Sequence, residues 1–154
     1  MTASSKTIII GIGNAHRGDD GTGLAVARAL RPKLPPEIEV IEQFGEGTSL
    51  MDAWRGASRV ILIDAVHSGA APGTIHHIDA STSPVPTALF PCSTHAFGVA
   101  DAIEMARALH RLPPQVNIYG IESANFDEIE GLSPEVTRAV AAVARQILED
   151  LHQP

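Results

Sequence analysis

Four polar residues of this sequence have side chains that could hold a metal ion or move a proton. Asp19 and Asp20 stand near the end of a glycine-rich run. Asp64 closes the apolar run RVILIDA, and His95 follows a proline-rich segment. Carboxylate and imidazole donors together suit a borderline divalent ion such as zinc, nickel or manganese, and suit copper(I) poorly. So few donors leave coordination positions open, which is typical of a catalytic site or of a site that a partner completes.

The glycine-rich run GIGNAHRGDDGTG, residues 11–23, differs from both common phosphate-binding loops. The dinucleotide fingerprint requires a third glycine where this sequence has His16. The phosphate-loop pattern begins with two correctly spaced glycines but then requires Lys-Ser or Lys-Thr, where this sequence has Asp19-Asp20. Two carboxylates at a helix N-terminus would repel a phosphate from the positive end of the helix dipole. The run therefore favours cation binding or acid–base chemistry.

The elements that would position these residues alternate between strands and helices. Continuous apolar runs predict strands buried on both faces of a sheet, and Pro and Gly mark the ends of helices. Thr48 or Ser49 is expected to cap the second helix, and Ser133 the last. This alternation predicts a three-layer α/β sandwich with a mostly parallel, twisted sheet of about five strands flanked by helices. The predicted strands cover 6–12, 38–44, 59–65, 74–78 and 116–122, and the predicted helices cover 22–30, 48–57, about 95–112 and 134 to about 151.

Parallel sheets bind ligands at the carboxyl ends of their strands, and four chain segments bring polar side chains to that edge. Asp19-Asp20 follow the first predicted strand, Asp64 ends the third, and Glu122 ends the last. His95 begins a helix that returns from the same edge, where the helix dipole would keep the imidazole neutral and able to coordinate. Singly, Asp20 could be a helix N-cap and Asp64 a turn former beside Ser68-Gly69. Together, the aspartates and the histidine favour a site.

The composition predicts a single folded domain, 1–154, and excludes several classes of partner. Apolar residues make up 44% and charged residues 19% of the 154 residues, which excludes a disordered chain. A net charge of −7 without a basic run argues against nucleic acid and against anionic membranes. We find no membrane span or signal peptide in the sequence, and the lone Cys92 cannot form an internal disulfide. We therefore expect a cytoplasmic monomer.

Short motifs along nearly the whole chain resemble those of the hydrogenase maturation proteases. These are endopeptidases that trim the C-terminus of the nickel-containing large subunit of [NiFe] hydrogenases. A single GxGN motif would be weak evidence for this resemblance, but the whole set of motifs in this order is specific for the family. In chain order the motifs are GIGN to DDGTG at 11–23, GT at 47–48, ILIDAVHSG at 61–69, PGT at 72–74, STHAFG at 93–98, and GIE with GLSPEV between 120 and 136.

The resemblance implies that Asp20, Asp64 and His95 bind a metal ion, and these are the residues that the edge argument selects. It also implies that the ion is nickel supplied by the substrate, the large-subunit precursor, whose cysteines already hold it. The protease would recognise this nickel, which is present only after cofactor insertion is complete. It would then cut the precursor just beyond the last cysteine motif. The attacking water would be activated by the metal or by a carboxylate such as Asp19 acting as general base.

One segment departs from the family pattern. Many members, particularly those that serve uptake hydrogenases, have Asp-Gly-Gly-Thr after the second strand, whereas this chain has Gly45-Glu46-Gly47-Thr48. Glu46 is the available substitute for the missing aspartate. The DDG form of the glycine-rich turn is similar to that of proteases serving cytoplasmic bidirectional, formate-linked or cofactor-reducing hydrogenases.

Three other interpretations use the same residues. Cys92 and His95 suggest a cysteine peptidase, but nucleophile and base usually come from distant segments, and a lone cysteine is more often a buried, inert thiol. Asp20 and Asp64 could instead share a proton, as the dyad of aspartic proteases does. A non-catalytic, nickel-sensing or chaperone-like module for hydrogenase assembly would use the three donors without cutting a peptide bond.

Several remaining polar and aromatic residues receive structural interpretations. His76 and His77 alternate with apolar residues on a predicted edge strand, which indicates a solvated face. Trp54 and Tyr119 are interpreted as packing residues. Glu122 lies at the correct edge of the sheet, but the resemblance does not make it a ligand.

Overall fold

The computed structural model describes residues 6–13, 21–43, 47–86, 98–124 and 131–152. Within these ranges five strands and four α-helices form, besides a short 3-10 turn at Arg31–Lys33. No helix in the described ranges combines the length and the apolar composition needed to cross a membrane. In chain order the elements are β1 (Thr7–Ile12), α1 (Thr22–Leu30), β2 (Glu39–Gln43), α2 (Gly47–Ala53), β3 (Arg59–Val66), β4 (Ile75–Asp79), α3 (Val99–Ala108), β5 (Gln115–Glu122) and α4 (Pro134–Leu151).

The five strands form one sheet in the order β2-β1-β3-β5-β4. The first four strands in this spatial order, β2, β1, β3 and β5, pair in parallel. The edge strand β4 pairs antiparallel with β5. Helices α1 and α4 cover one face of the sheet, and α2 and α3 cover the other. The predicted three-layer α/β fold with a mostly parallel sheet of about five strands is thereby confirmed, as is the edge position of β4.

Two apolar clusters, one on each face of the sheet, form the core. In β1, Ile8 and Ile10 pack on the face covered by α2 and α3, and Ile9 packs on the face covered by α1 and α4. We call these the α2/α3 face and the α1/α4 face. Trp54 and Tyr119 are 2% and 1% exposed, which confirms that they are packing residues. Because side chains alternate along a strand, the two clusters assign every strand residue to a face.

Two glycines of the glycine-rich run let α1 begin directly against the sheet. A Cβ on Gly23 would lie 2.2 Å from the carbonyl oxygen of Ile12 and 2.3 Å from that of Ile63. A Cβ on Gly11 would lie 2.3 Å from the carbonyl oxygen of Gly23 and 2.7 Å from Cβ of Ala27. Only a residue without a side chain fits at such separations. These glycines therefore serve the contact between the helix and the sheet, at the carboxyl ends of β1 and β3.

The start of α3 differs from the prediction. Gly98 is the N-cap residue in an extended conformation, and the helix runs from Val99 to Ala108. The backbone N–H of Gly98 donates a hydrogen bond to the carboxylate of Asp101 over 3.1 Å, which fixes this start. The prediction that the helix begins at about His95 is wrong by four residues. His95 itself lies outside the described residues, so the neutral imidazole at this position stays a prediction.

The structure rules out the cap predicted for α2 and the alternative interpretation of Asp20 as the cap of α1. Helix α2 begins at Gly47, so Thr48 and Ser49 belong to its first turn and do not precede it. The N-cap residue of α1 is Gly21, which removes the alternative of Asp20 as that cap. Helix α2 therefore begins one residue earlier than predicted, whereas α1 begins at Thr22 as predicted, with a glycine as its N-cap residue.

Candidate active site

Asp64 is the member of the predicted metal-binding trio that lies within the described residues. Its neighbours Ile63 and Ala65 are 0% and 8% exposed, whereas Asp64 itself is half-buried. Strand alternation places it on the α2/α3 face, near the carboxyl end of β3. Its Oδ1 accepts a hydrogen bond from the backbone N–H of Ala65 over 2.7 Å. Since Asp64 lies inside the strand, its interpretation as a turn former is wrong.

The other predicted site residues, Asp19, Asp20, Cys92 and His95, lie outside the described residues, as does Glu46. Their roles stay predictions. In the described part of the chain, no group of three His, Cys, Asp or Glu side chains could hold a metal ion. A metal site at Asp64 therefore requires donors from the remaining segments or from a substrate.

Glu122 connects three segments at the same edge of the sheet. It ends β5 on the α2/α3 face, and its side chain is 1% exposed. The backbone N–H and the hydroxyl of Ser68 donate hydrogen bonds to its two carboxylate oxygens over 2.8 and 2.6 Å. Nε2 of His76 lies 3.1 Å from Oε1 of the same carboxylate. Glu122 thereby ties the segment after β3 and the edge strand β4 to the end of β5.

Hydrogen bonds keep the buried carboxylate of Glu122 ionised. Burial by itself would raise its pKa, but the bonds from the Ser68 hydroxyl, the Ser68 backbone and His76 together outweigh burial, and the pKa lies below its ordinary value of 4.5. A carboxyl group with a depressed pKa stabilises the folded state above its unfolded pKa, and this stabilisation is lost as the pH falls through the folded pKa. Glu122 therefore contributes to stability at neutral pH and ceases to do so in acid.

We expect Glu122→Gln to lower the free energy of unfolding at pH 7 by about 1.5–3 kcal/mol, the range for hydrogen bonds to a charged group. The carboxylate oxygens of Glu122 accept hydrogen bonds from Ser68 and His76. In the variant, an NH₂ group replaces one of these oxygens and faces hydrogen-bond donors. Thermal unfolding at pH 7 and pH 3.5 measures this loss of stability. The difference in free energy of unfolding between the parent protein and Glu122→Gln should be smaller at pH 3.5. The matched control is Glu37→Gln at an exposed position. A variant as stable as the parent protein at pH 7 would contradict this role.

The two adjacent histidines of β4 lie on opposite faces of the sheet. His77 is exposed, stacks on Tyr119 with 4.4 Å between ring centroids, and its Nε2 lies 3.0 Å from Oδ1 of Asn117. The hydroxyl of Tyr119 donates to the Asp150 carboxylate. The side chain of His76 is only 23% exposed because it packs at the α2/α3 face beside Glu122. The expectation of a solvated face is wrong for His76.

Asp64, Gly120 and His76 form one row across the sheet. Asp64 pairs with Gly120, and Gly120 pairs with His76. Two strand spacings separate the outer residues, about 10 Å between Cα atoms. Gly120 leaves the middle position of the row without a side chain, and Cγ1 of Val66 lies 2.7 Å from where its Cβ would stand. A carboxylate and an imidazole thus stand on either side of a position that the buried Val66 side chain fills.

Comparisons with known proteins agree with this architecture. A family model described as hydrogenase maturation protease matches residues 24–150. A protein of Methanocaldococcus jannaschii, whose name assigns it to hydrogenase maturation proteases, is 30% identical over 152 residues, covering 94% of this chain and 95% of its own length.

Two solved structures extend the similarity to three dimensions. The [NiFe] hydrogenase maturation protease HybD of Thermococcus kodakarensis is 28% identical with a TM-score of 0.72, over 96% of this chain and 99% of its own. An endopeptidase of Escherichia coli is 25% identical with a TM-score of 0.82, over 95% and 91%. The family match covers most of the chain, and the structures share its fold from end to end. The chain is therefore a peptidase and belongs to the hydrogenase maturation protease family.

Proposed function

We propose that this peptidase removes the C-terminal extension of a nickel-loaded [NiFe] hydrogenase large-subunit precursor, and that Asp20, Asp64 and His95 recognise the precursor's nickel. Family membership supports a hydrogenase precursor as substrate, and the similar HybD structure is named for the [NiFe] class. Nickel in this proposal belongs to the substrate. We further propose that the protein acts in the cytoplasm as a monomer, without nucleic acid or membrane as partner.

The observation that carries the proposal is the position of Asp64. It is a half-buried carboxylate between two buried apolar neighbours, at the ligand-binding edge of a parallel sheet. Burying part of a charged group costs free energy unless an opposite charge or hydrogen bonds compensate it. The hydrogen bond from the Ala65 N–H to Oδ1 compensates part of this cost, and a divalent ion brought by the substrate would add an opposite charge.

The proposed reaction is hydrolysis of one peptide bond beyond the last cysteine motif of the precursor. Nickel near the scissile carbonyl would polarise it or lower the pKa of a bound water. Asp19 is the candidate general base if a carboxylate takes the water's proton instead. The cysteine interpretation depends on Cys92, and we propose the carboxylate–histidine site in preference because its described member, Asp64, lies at the correct edge.

Incubation of the purified protein with nickel-loaded precursor, followed by intact-mass measurement, tests the activity. We expect one cut that releases a single C-terminal peptide, and no further change on longer incubation. Large subunit that already lacks its extension is the control and should keep its mass. An unchanged precursor, or cuts at several internal positions, would contradict the proposal.

A further inference from the structure

Peptide hydrolysis near neutral pH needs a proton donor as well as an activated water. The amine leaves the carbonyl carbon readily only when its nitrogen receives a proton as the C–N bond breaks. Carboxylates with ordinary or lowered pKa values carry no proton at pH 7. A residue that binds the substrate's metal has its donor atom engaged. The donor is either the carboxylate that has taken the water's proton or a separate group at the same edge of the sheet.

His76 has the surroundings of such a donor. Its Nε2 lies 3.1 Å from Oε1 of the buried Glu122, so an N–H at Nε2 donates to a carboxylate. Among the residues that the structure describes, no hydrogen-bond partner is found for its Nδ1. A buried carboxylate on one ring nitrogen fixes the orientation of the ring, as in the serine protease triad.

We propose that His76, held by Glu122, donates the proton to the leaving amine during cleavage of the precursor. This inference rests on the proposed peptidase reaction and assigns it a further catalytic residue. The placement of His76 supports this role, because it stands in one row with Asp64 and is separated from it by Gly120. The Val66 side chain fills the space over Gly120, so a scissile bond held above Val66 would lie between the metal-side carboxylate and the imidazole.

The proton balance of the step is complete. The water oxygen bonds to the carbonyl carbon, and one water proton passes to a site carboxylate. The C–N bond then breaks with its electron pair on nitrogen, which takes the proton from Nδ1 of His76. The neutral ring keeps its Nε2–H on Glu122. It is reprotonated from the carboxylate through solvent, so the enzyme returns to its starting state.

Within the described residues, charged and titratable groups reach the surroundings of His76 from two neighbouring strands and from the segment after β3. Glu122 on β5 contacts the ring, Asp64 on β3 lies in the same row, and His67 follows the end of β3. His67 is exposed, whereas the ring of His76 is largely buried against a carboxylate. We therefore assign the role to the histidine that a buried carboxylate orients.

The test compares His76→Gln with His77→Gln, an adjacent histidine on the opposite face of the same strand. Steady-state cleavage of nickel-loaded precursor is measured as a function of pH. We expect His76→Gln to lower kcat about 100-fold with KM within about twofold, and to remove the alkaline limb of the kcat profile. His77→Gln should keep kcat near that of the parent protein. Glu122→Gln should also lower kcat, because the ring loses the carboxylate that orients it.

A substrate with a better leaving group separates proton donation from a structural role. In a precursor with an ester at the scissile position, the deficit of His76→Gln should shrink at least about tenfold, since an alkoxide needs less protonation than an amide nitrogen. If His76→Gln does not fold, the kcat of Glu122→Gln on the amide and ester precursors decides. The inference is overturned by equal kcat values in the two histidine variants, by a loss of kcat with the alkaline limb in place, or by an undiminished kcat in Glu122→Gln. Absence of cleavage by the parent protein would instead refute the proposed function.

Discussion

Asp64→Asn is expected to lower kcat/KM for nickel-loaded precursor at least about 100-fold while the protein stays folded. The amide keeps the shape of the carboxylate but loses the negative charge that would bind the substrate's nickel. Loss of groups that only support a metal ligand already costs about 10–100-fold, so loss of a ligand should cost at least as much. Cleavage rates from intact masses, with thermal unfolding as the check of folding, measure this effect.

Asp52→Asn is the matched control for this change. Asp52 is 75% exposed and pairs with Arg55 on the surface, so its variant should cleave at the normal rate. Asp20→Ala and His95→Ala should lose activity as Asp64→Asn does, and Cys92→Ala should retain it. A folded but inactive Cys92→Ala protein together with an active His95→Ala protein would contradict the metal-binding site and would favour a cysteine nucleophile.

Gly23→Ala is expected to destabilise the protein by at least about 3 kcal/mol, the upper range for inserting an extra methyl group into a packed region. Its Cβ would lie 2.2 and 2.3 Å from two backbone carbonyl oxygens, on Ile12 and Ile63, and backbone atoms cannot rotate away. The start of α1 would have to move off the sheet. Thermal unfolding should show a Tm lower by at least about 6 °C, since 1 kcal/mol corresponds to about 2–4 °C at this size.

Gly69→Ala is the control that separates steric overlap from backbone strain. Gly69 has a φ of 92°, and a Cβ there would have no neighbour within 4 Å. Its replacement should cost only about 1–2 kcal/mol, from the left-handed backbone conformation alone. A Gly23→Ala protein as stable as the Gly69→Ala protein would show that the helix does not rest on the sheet through this glycine.

The strands and helices that depend on local patterns were predictable from the sequence. Helix α1 was predicted at 22–30 and is found at Thr22–Leu30. The β-branched run before the first glycine-rich turn forms β1, and Ser133 is the N-cap residue of α4 as expected. These features follow from residue type over a few neighbouring positions, which is the range over which propensity and capping act.

The boundaries of α2 and α3 were mispredicted because glycines stand at the starts of both helices. The backbone N–H of Gly98, the N-cap residue of α3, donates to the Asp101 carboxylate, so this helix starts later than its apolar pattern suggests. Gly47 lies inside α2, although glycine is unfavourable in a helix. In both cases the sequence pattern indicated a helix correctly and its first residue incorrectly.

The candidate site was only partly visible in the sequence. The rule that ligands bind at the carboxyl ends of parallel strands located Asp64, since a carboxylate at the end of an apolar run is a local signal. The partnership of His76 with Glu122 spans 46 residues and depends on the antiparallel pairing of β4 with β5, which no spacing reveals. The available signal for this partnership was the alternation of side chains along β4. Once the pairing is known, it places His76 and His77 on opposite faces of the sheet.

The most direct test of the account is the nickel dependence of cleavage. Nickel-loaded and nickel-free precursor are incubated in parallel with the parent protein and with Asp64→Asn, and the rate of peptide release is measured by mass. We predict fast release only for the nickel-loaded precursor with the parent protein, and slow release in the other three mixtures. Equal rates for the two precursors with the parent protein would contradict recognition of nickel through Asp20, Asp64 and His95.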